Sequence, residues 1–195
     1  MRRAFRALAL TSLLFALSAA VSAEGGGAGG ILLGVQRPDL APDFLPARGA
    51  TTDLESLGGY GYGVDSQGFL AGGFGMALLD QSLLSGEAAA VVEIVGGVGG
   101  MVVGQRLIDA GRLHIDLSLR LGLGGVASKG SSWEGWAVAY FEPYAELLLA
   151  VTPWMALSAQ AGYRFMGNLV PGLVFDRIFL RSPALTFAVS WGDFR

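Results

Sequence analysis

The sequence predicts an all-β chain: a closed, antiparallel, up-and-down transmembrane barrel of eight strands, with ten as the alternative count. Three observations predict it. In the stretch RLHIDLSLRLGLGG, residues Leu113, Ile115, Leu117, Leu119, Leu121 and Leu123 share one parity, while Arg112, His114, Asp116, Ser118, Arg120 and Gly122 share the other. A period of two scatters leucines around a helix but places them all on one face of a strand. The chain also opens on an export signal and is 52% hydrophobic, yet no later segment makes a convincing membrane helix. Finally, the connections alternate in length in a way that sorts the short ones to one end. Outer-membrane barrels have short periplasmic turns and longer external loops. A soluble sandwich explains the alternation of side chains but gives no reason to sort the loops.

The elements follow in order. Arg2, Arg3 and Arg6 form a positive n-region, Ala7 to Ala20 an apolar h-region, and Val21-Ser22-Ala23 a small-x-small cleavage site. Residues 1–23 are therefore expected to be a signal peptide, and residues 24–195 a single barrel domain. Glu24 to Gly30 is a glycine-rich leader. The chain has no cysteine, which excludes disulfides and a lipoprotein anchor. The first strand spans about Gly29 to Gln36, and a polar stretch, Arg37 to Leu57, follows with Pro38, Pro42 and Pro46. The second strand, Gly58 to Val64, sets Tyr60, Tyr62 and Val64 against Gly59, Gly61 and Gly63. Asp65-Ser66-Gln67-Gly68 is a tight turn. The third strand, Phe69 to Leu79, sets Leu70, Phe74, Met76 and Leu78 against Ala71, Gly73, Gly75 and Ala77.

Further along, parity slips twice. Between Glu87 and Leu107, Val92 and Ile94 are even but Met101 and Val103 are odd, which predicts a bulge near Gly96 to Gly100. Ile108-Asp109-Ala110-Gly111 turns into the leucine-alternating strand, and a polar loop, Gly124 to Glu134, follows it. From Gly135 to Val151, Trp136, Val138 and Tyr140 are even whereas Ala145, Leu147, Leu149 and Val151 are odd, which predicts a second bulge near Pro143. Thr152-Pro153-Trp154 turns into the strand Met155 to Met166. After Gly167 to Pro183 the last strand carries Leu185, Phe187, Val189 and Trp191 on one face. The three long connections, Arg37–Leu57, Gly124–Glu134 and Gly167–Pro183, then lie outside. Phe69, Trp154 and Trp191 fall near the periplasmic rim, and Tyr60, Trp136 and Phe165 near the outer rim, as two aromatic girdles require. A tight turn at Gly96-Gly97 with an extra strand near Leu173 to Leu180 would make ten strands.

The chain resembles the small bacterial eight-stranded outer-membrane barrels across its mature length. The local piece that carries the likeness is PYAELLLAVTPWMALSAQAGYRF, Pro143 to Phe165, similar to the hairpin before the last strand of such proteins. The resemblance implies outer-membrane lipids as solvent and the barrel-assembly machinery as partner. One departure stands out: the family ends on an aromatic in phase with the final strand, whereas here Phe194 is out of phase with Trp191 and is followed by Arg195.

An eight-stranded barrel has an interior just wide enough for side chains to fill. The predicted inward polar set is Glu93, Asp116, Arg120, Glu142, Glu146, Gln160 and Arg164. Buried charges have to be paired, so Arg120 and Arg164 are expected among the carboxylates, either as a salt-bridged plug or as the lining of a narrow path. Gly61, Gly63, Gly73 and Gly75 leave room on one wall of that lumen. The one histidine, His114, shares a face with Asp116 and Ser118. Same-face neighbours on a strand lie about 6.6–7 Å apart, too far for a nucleophile and its base, so His114 reads as a lumen residue.

Other features carry no site. The glycines of GGYGYGVDSQG lack the spacing and the helix of a dinucleotide loop. Gly96, Gly100 and Gly104 form a small-xxx-small run, but Glu93 and the neighbouring valines speak for a strand. Asp39, Asp43, Asp53 and Glu55 lack the spacing of a calcium loop. With a net charge of −3 and Lys129 as the one lysine, the chain has no basic face for nucleic acid. The function expected is therefore structural or surface-interacting, with no catalytic residues, cofactor or metal and an external partner left unspecified. The alternatives are a small ion or solute channel, a lipid-modifying enzyme, or a soluble lipid-binding barrel.

Overall fold

The structure is a computed structural model that describes residues 26–37, 39–40, 54–80, 93–129, 133–170 and 174–194. The strands are β1 (Gly27–Gln36), β2 (Asp39–Leu40), β3 (Leu54–Val64), β4 (Phe69–Asp80), β5 (Glu93–Ala110), β6 (Leu113–Lys129), β7 (Trp133–Thr152), β8 (Met155–Val170) and β9 (Val174–Gly192). Each long strand is antiparallel to the next, and β9 closes on β1. The short β2 continues the β1 ladder: Gln36 faces Ala184 and Asp39 faces Arg181, in one unbroken register. Between them the sequence carries Pro38, which has no N–H to offer a ladder. With β1 and β2 counted together the barrel has eight strands. The segment considered for an additional strand, Leu173 to Leu180, belongs from Val174 onward to β9.

The register fixes the shape. Following Cα partners once around, Gly30 leads through Tyr60, Phe74, Gly100, Gly122, Tyr140, Met166 and Leu180 to Leu40. One circuit therefore advances ten residues along the first strand, from Gly30 to Leu40. With eight strands this stagger tilts them roughly 40° from the barrel axis. At that tilt, the run Leu113 to Leu123 spans roughly 25 Å along the axis, the height of the apolar band of membrane barrels.

Three tight connections share one end. At Asp65–Gly68 the Asp65 carboxylate accepts the Gln67 and Phe69 amides at 2.8 and 2.9 Å, and Gly68 supplies a φ of 82°. Gly111, at φ 69°, turns β5 into β6, and Pro153-Trp154 turns β7 into β8. The left-handed conformation at both glycines is the one L-residues disfavour. At the far end, two of the expected long loops are mostly strand. β6 runs to Lys129 and β7 starts at Trp133, so Gly124–Glu134 is the tip of a tall hairpin; likewise β8 reaches Val170 and β9 begins at Val174. The long connections on that side are 41–53 and 81–92, which lie outside the described residues.

Every buried side chain among the described residues carries an even number, from Ala28 to Phe194. Away from the strand ends each hairpin pairs even positions with even ones, so one parity faces the lumen right round the middle of the barrel. This corrects both predicted slips. β5 pairs without a shift through Gly96 to Gly100, and β6 pairs with β7 without a shift through Pro143. Ile94, Val138 and Tyr140 are lumen core, not lipid-facing residues brought out of phase. The register shifts lie instead near the two ends, at Arg106–Ile108 and Ala150–Thr152 by the short turns and at Met166–Gly167 and Gly167–Leu169 at the far end of the β8–β9 ladder. The first leaves Leu107 and Ile108 both exposed on the outside.

The same parity overturns the expected faces of β3 and β4. Tyr60, Tyr62, Leu70, Phe74, Met76 and Leu78 fill the lumen, and the glycines face outward. Gly59, Gly75 and Gly99 line up across β3, β4 and β5, with Gly61 beside Gly73 in the next row. The glycine wall thus lies on the outer side, where Gly59, Gly61 and Gly75 are covered by their neighbours and Gly63 and Gly73 are half-buried, and Tyr60 belongs to the interior, not to an aromatic girdle. The physical reason is that acyl chains conform to any outward surface, whereas an interior has to be filled by side chains.

Candidate functional site

Among the described residues the lumen gathers polar groups away from solvent. Its centre is Glu142 on β7, which receives two guanidinium groups. Arg120 Nη1 from β6 donates to Oε2 at 2.9 Å, and Arg164 Nε from β8 donates to Oε1 at 2.8 Å. Both arginines have no solvent exposure. The Tyr140 hydroxyl, two residues along the same strand, also donates to Oε2. Strand neighbours two apart share a face, which is why Tyr140 and Glu142 converge.

From this centre the network spreads two ways. Arg120 Nη2 donates to Gln160 Oε1 at 2.6 Å, and Gln160 Nε2 donates to Glu146 Oε1 at 3.0 Å. Tyr60 donates to the same Glu146 oxygen at 3.4 Å and shares a 2.7 Å hydrogen bond with Ser190. The Arg120 guanidinium also lies 4.1 Å from the Tyr144 ring centroid, over a face that attracts cations. On the other side, Arg164 reaches Gln36, Ser56 and Thr186 at 3.0, 3.1 and 3.0 Å. Gly34 makes room for that head group: a Cβ there would lie 2.8 Å from Thr186 Oγ1 and 3.3 Å from Arg164 Nη2. Two guanidiniums and two carboxyl groups thus belong to one connected set of hydrogen bonds.

Of the predicted polar set, Arg120, Glu142, Glu146, Gln160 and Arg164 come together in this network. Asp116 does not join it. Its carboxylate is held by Arg106, with Nε to Oδ1 at 3.0 Å and Nη2 to Oδ2 at 3.2 Å. Glu93 begins β5, and its side chain lies outside the described ones. Arg106 was missed by the sequence reading, although the parity expected beyond Gly100, with Met101 and Val103 outward, already turned it inward. The signal was present in the register, since Arg106 is the direct partner of Asp116 across the β5–β6 hairpin. Tyr60 was missed through the inverted faces of β3.

His114 has a partner other than the one its strand suggested. Its Nδ1 lies 3.2 Å from Asp109 Oδ1, across the turn, and not against Asp116 or Ser118. Nε2 has no hydrogen-bond partner among the described residues, so no hydroxyl stands within reach of it as a nucleophile. Among the described residues no group of three or more His, Asp or Glu is placed to hold a metal ion.

Above the polar network, toward the far end, Leu54, Ile94, Val126, Val138, Met166 and Leu180 form an apolar layer, each buried. Below it, Phe194 folds into the short-turn mouth: its amide donates to the Pro153 carbonyl at 3.1 Å, and its ring joins the core. The departure noted at the C-terminus thus has a structural use, since an out-of-phase aromatic can turn inward as a stopper.

This architecture is shared with solved outer-membrane barrels. The structure is similar to that of Ail, the attachment invasion locus protein of Yersinia pestis, at a TM-score of 0.54 and 11% identity, over 87% of this chain and 99% of that one. It is similar also to neisserial surface protein A, at 0.56 and 13%, over 86% of this chain and 99% of that one. The fold is that of the small eight-stranded outer-membrane barrels. No protein-family model and no curated protein matches the sequence.

Proposed function

We propose that the chain is a non-conducting barrel of the bacterial outer membrane, acting through the surface it displays at its far end. The observation that carries this reading is the filled lumen: Arg120 and Arg164 lie fully buried across its middle, with the apolar layer of Leu54, Val138, Met166 and Leu180 beyond them. An ion crossing that layer would be stripped of water without compensation. Function then has to reside on the outside of the barrel. The segments 41–53 and 81–92 join strands whose ends lie opposite the tight turns, the side that faces the exterior in such barrels. Two proteins of the same fold are named for attachment and for the cell surface, which agrees with this reading.

In this proposal residues 1–23 are removed on export, the barrel-assembly machinery inserts the chain, and the lipids of the outer membrane cover Leu113 to Leu123 and their neighbours. Purified protein in planar bilayers should show no steady conductance. A conductance that changes in Glu146→Gln or Arg120→Gln would overturn the closed lumen. Protease added to intact cells should cut within 41–53 or 81–92; cutting confined to Asp65–Gly68 and its companion turns would reverse the orientation. N-terminal sequencing of the outer-membrane protein should begin near Glu24.

A further inference from the structure

On the outside of the barrel, β8 and β9 carry a charged and aromatic patch at the edge of the apolar band. The outward residues of β9 are Trp191, Val189, Phe187, Leu185 and Pro183, all uncharged, and the run ends on Arg181, which is exposed. Arg181 stands ten residues from Trp191, roughly 25 Å along the axis at the tilt of the strands. That is the height of the apolar band itself. With Trp191 at one membrane boundary, Arg181 stands at the other, level with the phosphates of the lipids.

Three observations define what would fit. First, the ladder partner of Arg181 on β8 is Phe165, whose ring lies 4.9 Å from that of Tyr163 and 5.7 Å from that of Phe141, centroid to centroid. Tyr163 and Phe141 are exposed, so an aromatic platform covers β7 and β8 on the membrane side of Arg181. At about the same height on β5 to β7, allowing for the stagger of the register, the outward positions are Gly97, Gly125 and Ala139, without a charge or a ring. Second, no described residue forms a hydrogen bond or ion pair with Arg181. Third, its ladder partner on the other side is Asp39, and Arg37 is exposed on the same outward parity, so two arginines stand against that carboxylate; the next one, Glu55, is two strands away.

We propose that Arg181 and the Phe141–Phe165–Tyr163 platform bind one lipid by its phosphate. A guanidinium offers two parallel N–H donors to phosphate oxygens. Rings at a membrane boundary receive the top of an acyl chain below that phosphate. A free anion would gain the first contact and not the second. The site requires only that Arg181 lie at a membrane boundary, so it stands or falls apart from the role proposed above for the displayed surface.

The test titrates the full processed chain, in micelles of an uncharged maltoside detergent, with dimyristoyl phosphatidylglycerol, and reads the amide shifts of Tyr163 and Phe165. Dimyristoylglycerol supplies the chains without the phosphate, and glycerol phosphate the phosphate without the chains. The phospholipid should give saturable shifts that weaken severalfold in Arg181→Gln and with added salt, and that persist in Arg181→Lys. Arg112→Gln, at the opposite end of the barrel, should leave them unchanged, and Asp39→Asn should hold or tighten binding. Full binding in Arg181→Gln, or its loss in Asp39→Asn, would overturn the proposal. So would an equal response to dimyristoylglycerol, which makes the patch merely apolar, or glycerol phosphate binding as tightly as the lipid, which makes it a site for the free anion. Because Arg181 is exposed and outside the lumen network, Arg181→Gln leaves the fold in place, and Arg181→Lys controls for any local disturbance.

Discussion

The wall formed by β3 to β5 and the wall formed by β6 to β9 solve the same problem in opposite ways. On β6, leucines face lipid and Asp116, Ser118 and Arg120 face the lumen. On β3 and β4 the bulky apolar residues, Tyr60, Leu70, Phe74 and Met76, turn inward, and glycines and alanines such as Gly73 and Ala71 take the outer side. Both walls satisfy the lipid, because hydrocarbon accepts a leucine or a bare backbone alike. They differ in what they give the interior. The β6–β9 wall brings charges, and the β3–β5 wall brings the volume that presses against them, as where Phe74 packs on Tyr140, their centroids 5.6 Å apart. The difference shows that the side chain that must be inside is decided by the interior, not by hydrophobicity along one strand.

Substitutions break this comparison in order of size. Phe74→Ala should cost about 3–5 kcal/mol, the loss expected for a buried aromatic. On the opposite wall Glu142→Leu should cost a similar 3–5 kcal/mol, because it leaves Arg120 and Arg164 buried without their shared partner. Both are read from urea unfolding in lipid vesicles; a cost for Phe74→Ala below about 1 kcal/mol would return that residue to the lipid face.

Next come the outward positions. Leu117→Arg, at a residue 53% exposed on the lipid face, should cost about 2–4 kcal/mol near the midplane. Gly73→Arg should cost about as much for the same reason, although glycine and leucine share nothing in hydrophobic pattern. A free choice of residue at Gly73 would show that it does not face hydrocarbon.

The smallest effects sharpen the contrast within one strand. A Cβ at Gly72 would meet the Gly61 carbonyl oxygen and lie 2.6 Å from Tyr62 Cα, so Gly72→Ala should cost about 1–3 kcal/mol through overpacking. At Gly73 the nearest contact of a Cβ is 3.4 Å, an ordinary distance, and Gly73→Ala should stay within about 0.5 kcal/mol. Equal costs at the two glycines would contradict the assigned faces.

Where the two faces of a strand differ in polarity, the sequence is readable. The leucines of β6 and the inward Glu142, Glu146, Gln160 and Arg164 are told apart by alternation alone, and five of the predicted polar residues meet in one network. Where both faces are apolar, alternation has no sign. Tyr60 and Gly61, or Phe74 and Gly73, form a two-letter pattern that reads the same with either set inward. The long hairpin tips escaped for a different reason, since Gly124 to Lys129 is rich in turn residues yet pairs as strand where a neighbour supports it. The pairing of Arg106 with Asp116 required the register of the hairpin, which a single strand does not carry.

The most direct measurement places a spin label at Gly73 and, separately, at Leu117, which is simple because the chain contains no cysteine. In lipid bilayers, both labels should collide freely with dissolved oxygen and only weakly with a water-soluble nickel chelate, as befits two residues of odd number in hydrocarbon. A label at Gly73 shielded from oxygen, beside an accessible one at Leu117, would contradict a barrel in which one parity faces the lumen all the way round.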